Sequence, residues 1–226
     1  MVFRFFGGKG SERLEAIEGK VQEMLKHDRH EFDLAMDALL GRTPPESVND
    51  ELRRTDRKVN RLEREIRREL VVHASVFGGI DTPAVLVYMS VVKDMERVGD
   101  YAKNLLDLAL DGADFSNAPD ADEWARLAAE LGQLIDDAAG AFKLRNGARS
   151  RELLERGDEL LNLFDERVTE LIKEESQGAQ AVPRALAHRY LKRVVAHLMN
   201  LLSAVTMPVD KIDYFDEDPE DRAIEG

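Results

Sequence analysis

The chain contains no cysteine, few aromatic residues and no long uninterrupted apolar segment. The absence of cysteine excludes a disulfide framework, a cysteine-based zinc site and a cysteine nucleophile. The most apolar stretch, residues 84–92, includes Ser90, ends before Lys93 and is too short to cross a bilayer. The first residues have neither a long apolar region nor a small-residue cleavage site, so we expect no signal peptide.

Acidic residues outnumber basic ones, with 45 Asp and Glu against 32 Lys and Arg and a net charge of −13. Nucleic-acid binding needs a basic footprint that neutralises phosphates, so this balance argues against nucleic acid as a main partner. The 226 residues are enough to bury one large core or two small ones. Residues 213–226 carry seven acids, one Arg and no apolar period, which predicts a disordered acidic tail.

Apolar residues recur at intervals of three and four along nearly the whole chain, which is the spacing of amphipathic helices. Glycines and prolines, among them Gly41, Pro44 and Gly78, interrupt the pattern and mark helix ends. No segment shows sustained strand alternation. The sequence therefore predicts an all-α protein with six main helices, over residues 11–40, 46–77, 82–110, 121–144, 148–175 and 181–205.

The two halves of the chain resemble each other. A shift of 102 residues superimposes the second predicted helix on the fifth, and a shift of 96 superimposes the third on the sixth. Polar residues match as well as apolar ones, which accidental hydrophobic register does not explain. The polar pairs are Asp56 and Asp158, Asn60 and Asn162, Glu63 and Asp165, Arg97 and Arg193, and Asn104 and Asn200. We infer two copies of one three-helix unit.

Two of the predicted helices carry acids on one face. Asp56 and Glu63 lie seven residues apart with Asn60 between them, and Glu96 and Asp100 are four residues apart on the next helix. Packed side by side, these helices would gather carboxylate and amide oxygens, which suit Mg, Ca, Mn or Fe. The alternative is a solvated lattice of acid–arginine pairs, because seven arginines lie between Glu51 and Glu69.

One further set of polar residues lies on the first predicted helix. His27 and Glu31 are one turn apart and could share a ligand, but nothing nearby in the sequence completes a site. Asp28 and Arg29 indicate a polar face. We therefore expect this segment to be exposed to solvent.

The run Asp-Met-Glu-Arg-Val-Gly-Asp-Tyr-Ala-Lys-Asn at residues 94–104 resembles the signature of the PhoU family of phosphate-transport regulators. Asp56-Arg-Lys-Val-Asn60 is similar to the other repeated element of that family. The resemblance extends from the first helix to Val205. It implies two tandem three-helix bundles related by a pseudo-twofold repeat, over residues 1–112 and 120–212, followed by the tail of residues 213–226.

The resemblance also implies metal ions on the bundle surface, held by acidic motifs with three residues between the acids. Carried over to this sequence, the metal ligands are Asp56, Glu96 and Asp100. The metal would be Fe, Zn, Mn or Mg. Three side chains are candidates for an outer shell: Asn60, Glu63 and Asn104. Tyr101 stands where the family often has histidine, so this sequence departs from the family's pattern at that position.

The second copy departs from the acidic pattern. Lys192 aligns with Glu96, and Ala196 aligns with Asp100. We therefore expect no multi-metal site in this copy. The ammonium of Lys192 would instead lie among the side chains of the second copy's polar face, Asp158, Asn162 and Asp165, although a lysine that points into solvent is an open alternative.

Taken together, the resemblance implies a negative regulator that is not an enzyme. Its expected partners are the ATP-binding subunit of a phosphate ABC transporter, a sensor histidine kinase, or both. It would act as a homodimer in the cytoplasm, where its partners could hold it at the inner face of the membrane. A di-metal carboxylate enzyme is a second possibility, but the Glu-x-x-His motif of such enzymes does not occur in this sequence. A metal-free helical scaffold for another transporter is a third.

Overall fold

The computed structural model of the protein describes residues 11–173 and 180–212, and for Ser11 and Ile80 it describes the backbone alone. The acidic tail predicted for residues 213–226 lies outside the described residues and stays a prediction. Within the described ranges the chain forms six long helices and no strand. The predicted all-α class is therefore confirmed.

The six helices agree with the predicted ones to within two residues at each end where both ends are described. They are α1 (Ser11–Leu39), α2 (Pro45–Phe77), α3 (Thr82–Leu110), α4 (Ala121–Lys143), α5 (Gly147–Lys173) and α6 (Ala181–Thr206). Two single 3-10 turns, Gly79–Asp81 and Val209–Lys211, follow α2 and α6.

Glycine and proline set the ends of the first helices. Gly41, just after α1, has a φ of +64°, which a residue with a Cβ rarely adopts. Pro44 and Pro45 then begin α2, where the missing N–H of proline costs nothing. Gly78 ends α2 with a φ of +45°, and Pro83 lies in the first turn of α3.

Helices α1, α2 and α3 pack together as one bundle, and α4, α5 and α6 form the other. The bundles meet where α3 lies against α6 and α1 lies against α4. In α6, all eleven residues from 194 to 204 are buried. A helix that is buried on every side lies in the interior of the protein, so α6 and its partner α3 form the centre of the molecule.

The contacts between α3 and α6 show the pseudo-twofold repeat directly. Nδ1 of His197 lies 2.9 Å from Oδ1 of Asp94, and the rings of Tyr101 and Tyr190 are 6.0 Å apart. The 96-residue shift that aligns the two helices carries Asp94 onto Tyr190 and Tyr101 onto His197. The two contacts are therefore equivalent positions on either side of the pseudo-twofold axis, and α3 and α6 run antiparallel.

A small polar network is buried in this interface. Besides His197, the amide of Asn200 donates to Oδ1 of Asp94 at 3.1 Å, and Tyr101 stacks on the His197 ring at 5.8 Å. Asp94, His197 and Asn200 are all buried. Buried polar groups are tolerated when they are hydrogen-bonded to one another, so Asp94 is the acceptor on which the other two depend.

The connection between the bundles, residues 111–120, is anchored to both of them although its sequence is typical of a linker. The backbone N–H of Phe115 donates to the carbonyl of Leu39 at 2.8 Å. Its fully buried ring lies 4.5 Å from that of Trp124 in α4. Domain limits at residues 112 and 120 remain a prediction.

None of the helices in the described part of the chain combines the length and the apolar character that a membrane span requires.

We predict that Asp94→Ala lowers the free energy of unfolding by about 1–3 kcal/mol, because it leaves buried donors of His197 and Asn200 without an acceptor. Urea unfolding followed by circular dichroism measures the change. The control is Asp111→Ala, an exposed acid at the end of the same helix, which should change stability by less than about 0.5 kcal/mol. An equal effect of both substitutions would contradict a structural role of the buried network.

Candidate functional site

Five acidic side chains from three helices approach one another inside the first bundle. Asp28 and Glu31 come from α1, Asp56 comes from α2, and Glu96 and Asp100 come from α3. We call them the acidic cluster. It includes the three ligands predicted from the sequence and two carboxyls of α1 that were not predicted to take part.

The two carboxyls of α1 lie deepest. Asp28 and Glu31 are 0% exposed, and neither of their carboxyl groups has a hydrogen-bond partner among the described residues. The prediction that this segment of α1 is exposed to solvent is therefore wrong for both residues. A buried carboxylate without a partner costs several kcal/mol, so such a group either holds a proton or faces a cation.

Burial and mutual repulsion change the acidity of these two groups. Loss of hydration raises the pKa of Asp28 well above its usual range, and the negative charges of Glu31, Glu96 and Asp56 add to this. Burial raises the pKa of Glu31 to about 8, with Asp56 contributing further and Lys103 opposing. In the structure without a bound cation, both carboxyls therefore favour the protonated form near neutral pH.

Glycine in α3 allows α1 to approach this closely. A Cβ at Gly99 would lie 3.1 Å from Oδ1 of Asp28 and 3.1 Å from Oε2 of Glu31. These distances are tighter than ordinary van der Waals contact. The missing side chain at position 99 thus leaves the space that the two α1 carboxyls occupy.

A lysine joins the outer acids of the cluster. The ammonium of Lys103 donates to Oδ1 of Asp56 at 2.7 Å and to Oδ1 of Asp100 at 2.9 Å. Burial by itself lowers the pKa of Lys103, but these two hydrogen bonds outweigh it and raise the pKa above its ordinary value. The side chain of Lys103 therefore supplies a positive charge between α2 and α3.

Other cations neutralise the rim of the cluster. Lys93 donates to Glu96 at 2.5 Å and lies 4.0 Å from the buried Glu63. Glu63 also pairs with Arg67 at 3.2 Å. Arg97 donates to Asp100 at 3.1 Å. Because Lys93 is close to both Glu63 and Glu96, Glu63 lies next to the rim of the cluster.

The two amides predicted as outer-shell groups, Asn60 and Asn104, differ from each other in their surroundings. Asn60 donates to the backbone carbonyl of Asp56, at 3.0 Å, so its nitrogen is taken by its own helix. Asn104 lies one turn after Asp100 and is half-buried in α3. Asp107, one turn further, pairs with Arg53 of α2.

As they stand, the side chains do not form a ready metal cage. Within residues 11–173 and 180–212, no three His, Asp or Glu side chains converge closely enough to hold an ion. The donor chemistry nonetheless suits a hard cation, because the cluster offers five carboxyls, two of which are buried and unsatisfied. Binding would require the lysine ammoniums to move aside.

The second bundle has a different arrangement at the equivalent place. Lys192 of α6 pairs with Asp165 of α5, and Arg189 lies 3.7 Å from the same carboxylate. Asp158 is half-buried and Asn162 is exposed to solvent. The lysine that aligns with Glu96 thus pairs with Asp165, one of the polar residues expected around it.

The spacing of apolar residues in α1 indicated that Asp28 and Glu31 would be buried, although both are acidic. Asp28 follows the buried Leu25 by three residues, and Glu31 precedes the buried Phe32 and follows Asp28 by three. Both acids therefore occupy positions of the apolar stripe of α1. Their spacing from apolar residues predicted burial, whereas their charge predicted exposure to solvent. The structure agrees with the spacing.

The fold and the site together define an all-helical, two-bundle protein with a buried acidic cluster in its first bundle. The family model described as the PhoU domain matches residues 21–109, which run from α1 to the end of α3. The resemblance of this chain to the PhoU family is therefore confirmed, and residues 21–109 are the part that matches the family model.

A curated relative and two crystal structures agree with this result. The phosphate-specific transport system accessory protein PhoU homolog of Synechocystis sp. is 23% identical over 157 residues, covering 67% of this chain and 70% of that protein. PhoU from Pseudomonas aeruginosa has a TM-score of 0.76 at 19% identity, covering 86% of this chain and 95% of its own. The phosphate transport system regulatory protein PhoU from Streptococcus pneumoniae has a TM-score of 0.72 at 15% identity, over 87% and 95%. At these identities the two structures show a shared fold.

We predict that Glu31→Gln stabilises the metal-free protein increasingly as the pH rises from about 5 to about 8. The raised pKa of Glu31 means that the native state keeps its proton where the unfolded chain has lost it. Ionisation of this carboxyl therefore lowers the stability of wild type through that range, and glutamine cannot ionise.

Denaturant unfolding in chelator-treated buffers at pH 5 and pH 8.5 measures this difference. The matched control is Glu15→Gln, an exposed glutamate of the same helix, whose stability curve should run parallel to that of wild type. Parallel curves for Glu31→Gln as well would show that the buried carboxyl ionises in the ordinary way.

Proposed function

We propose that this protein is a PhoU-like regulator of phosphate uptake and signalling, and that it is not an enzyme. The observation that carries the proposal is the PhoU domain at residues 21–109, supported by a relative whose name describes a phosphate-specific transport accessory protein. Its action would be that of an adaptor, which docks on the ATP-binding subunit of a phosphate ABC transporter, on a sensor histidine kinase, or on both. The resemblance further supports a homodimer at the cytoplasmic face of the membrane.

The acidic cluster is the proposed metal site. Asp56, Glu96 and Asp100 would be its ligands, and the unsatisfied carboxyls of Asp28 and Glu31 supply two more donors. A bound Fe, Zn, Mn or Mg ion would provide the positive charge that these buried oxygens lack. Because α1, α2 and α3 each contribute, the ion would tie the three helices of the first bundle together.

A metal-free scaffold is the second candidate, and one observation favours it. Lys103 already bridges Asp56 and Asp100, and protons on the α1 carboxyls would remove the remaining charge. In that case the cluster stabilises the bundle without an ion. Metal content distinguishes the two.

We predict that protein purified without a metal-binding tag contains a stoichiometric metal ion and that Glu96→Ala/Asp100→Ala loses it, because two carboxylate ligands are removed. Elemental mass spectrometry provides the measurement. The matched control is Asp158→Ala/Asp165→Ala, which removes acids from the second copy and should leave the metal content unchanged. Metal-free wild type after exposure to all four ions would exclude the metal site and favour the scaffold.

We predict that deleting the gene in the organism that encodes it raises phosphate uptake in phosphate-rich medium, because a negative regulator of the transporter is lost. Uptake of radiolabelled phosphate measures the effect, and restoring the wild-type gene is the control. Purified protein should also retain the transporter's ATP-binding subunit or the kinase in a pull-down. Unchanged uptake together with no retention of either partner would contradict the adaptor role.

A further inference from the structure

The solvent face of α2 carries a line of arginines that the acidic cluster does not use. Their spacing alternates between three and four residues, which keeps them on one side of the helix. All five are exposed, and we call them the arginine stripe: Arg54, Arg57, Arg61, Arg64 and Arg68. At about 1.5 Å per residue, the stripe is about 21 Å long.

These arginines have no acidic partner among the described residues, although α2 is rich in acids. Most acids of α2 are instead bound by other cations, whereas the exposed Asp50, one turn before Arg54, marks the N-terminal end of the stripe. The pairs are Glu51 with His30, Asp56 with Lys103, Glu63 with Lys93 and Arg67, and Glu65 and Glu69 with Lys20. The arginine stripe is therefore an uncompensated positive surface on a protein whose net charge is −13.

An exposed apolar surface continues the stripe. Val72 and Val76 follow Arg68 at intervals of four residues, on the same side of α2, and Val76 is 63% exposed. Leu86, near the start of α3, is 53% exposed and lies at the same end of the bundle. We call these three residues the apolar end. A basic stripe joined to exposed aliphatic side chains is unusual for a face that contacts only water.

The second copy of the repeat shows that the fold does not require a basic face on the helix equivalent to α2. With the 102-residue shift, Arg57, Arg64 and Arg68 align with Glu159, Glu166 and Glu170 of α5. These glutamates are exposed as well. Three of the five stripe positions thus change from arginine to glutamate in the second bundle, and two of these glutamates pair with arginines of α5. The second bundle therefore has no equivalent basic stripe.

We propose that the arginine stripe and the apolar end dock the protein directly on an anionic phospholipid surface. Arginine guanidiniums bind phosphate oxygens in a bidentate manner, and each basic residue near such a surface adds to the attraction. Val72, Val76 and Leu86 then enter the boundary between headgroups and acyl chains. Because α5 has no equivalent basic stripe, α2 is the helix that turns towards the lipid.

Two observations favour a lipid surface over other anionic partners. A bilayer offers phosphates and, directly beneath them, an apolar layer, which matches the stripe and the apolar end together; a nucleic-acid backbone offers only the phosphates. The charges of the stripe are also spread over about 21 Å of one helix, which suits an extended surface that offers many phosphates. The proposal goes beyond the regulator role, because it depends neither on the metal nor on a transporter subunit.

The test is co-sedimentation of the full-length, untagged protein with vesicles of two compositions. One is phosphatidylcholine alone, and the other is phosphatidylcholine mixed with phosphatidylglycerol. We predict binding to the mixed vesicles only. Arg61→Glu/Arg64→Glu should weaken that binding at least about tenfold, because two attractive charges become repulsive.

Matched variants separate the stripe from general charge effects. Arg126→Glu/Arg151→Glu changes two exposed arginines outside the stripe. Since each Arg→Glu change removes two charge units, both double variants move the net charge from −13 to −17. The control pair should retain binding. Circular dichroism of all variants confirms that they fold.

The apolar end has its own matched pair. Leu86→Asp should weaken binding to the mixed vesicles, whereas Val182→Asp, at the repeat-equivalent exposed position of α6, should not. Failure of wild type to bind the mixed vesicles overturns the proposal. It would favour an acidic protein surface as the partner of the stripe. Equal binding by Arg61→Glu/Arg64→Glu and wild type overturns it as well.

Discussion

The antiparallel packing of α3 against α6 is the contact on which the rest of the structure depends. These two helices are the most completely buried elements, and Asp94 hydrogen-bonds with both His197 and Asn200 between them. Because one side of α3 is committed to α6, its acidic side can only face α1 and α2. The position of the acidic cluster thus follows from how the two bundles join.

That position makes the cluster a place where cations compete. Asp28 and Glu31 lie in the interior, where an uncompensated charge is costly, and the acids around them raise that cost. Protons on the two α1 carboxyls and the ammonium of Lys103 are both able to relieve it. A metal ion would have to displace them, so its affinity at this place is tied to pH more strongly than in a preformed site of ionised ligands.

The sequence predicted most of the fold because helix formation follows local rules. Apolar spacing and the Gly and Pro breaks located all six helices, and the match of Asn104 with Asn200 and of Asp56 with Asp158 revealed the repeat. What it did not predict depends on distances between helices. Whether Asp28 lies inside, or whether Lys103 reaches Asp56 across 47 positions of sequence, is decided only when α1, α2 and α3 are packed. The burial of Phe115, in a segment whose sequence is typical of a linker, likewise depends on how the helices pack.

The pairing of α3 with α6 also bears on how the chain is made. Asp94 and His197 are separated by 103 residues, so the first bundle leaves the ribosome before its partner helix exists. Until α6 is synthesised, the face of α3 that will be interior is open to solvent and to other chains. At about 5–20 residues per second, this interval lasts on the order of 5–20 seconds. During that time no partner helix covers this apolar face, which is the condition under which transiently exposed apolar surface favours association with other chains.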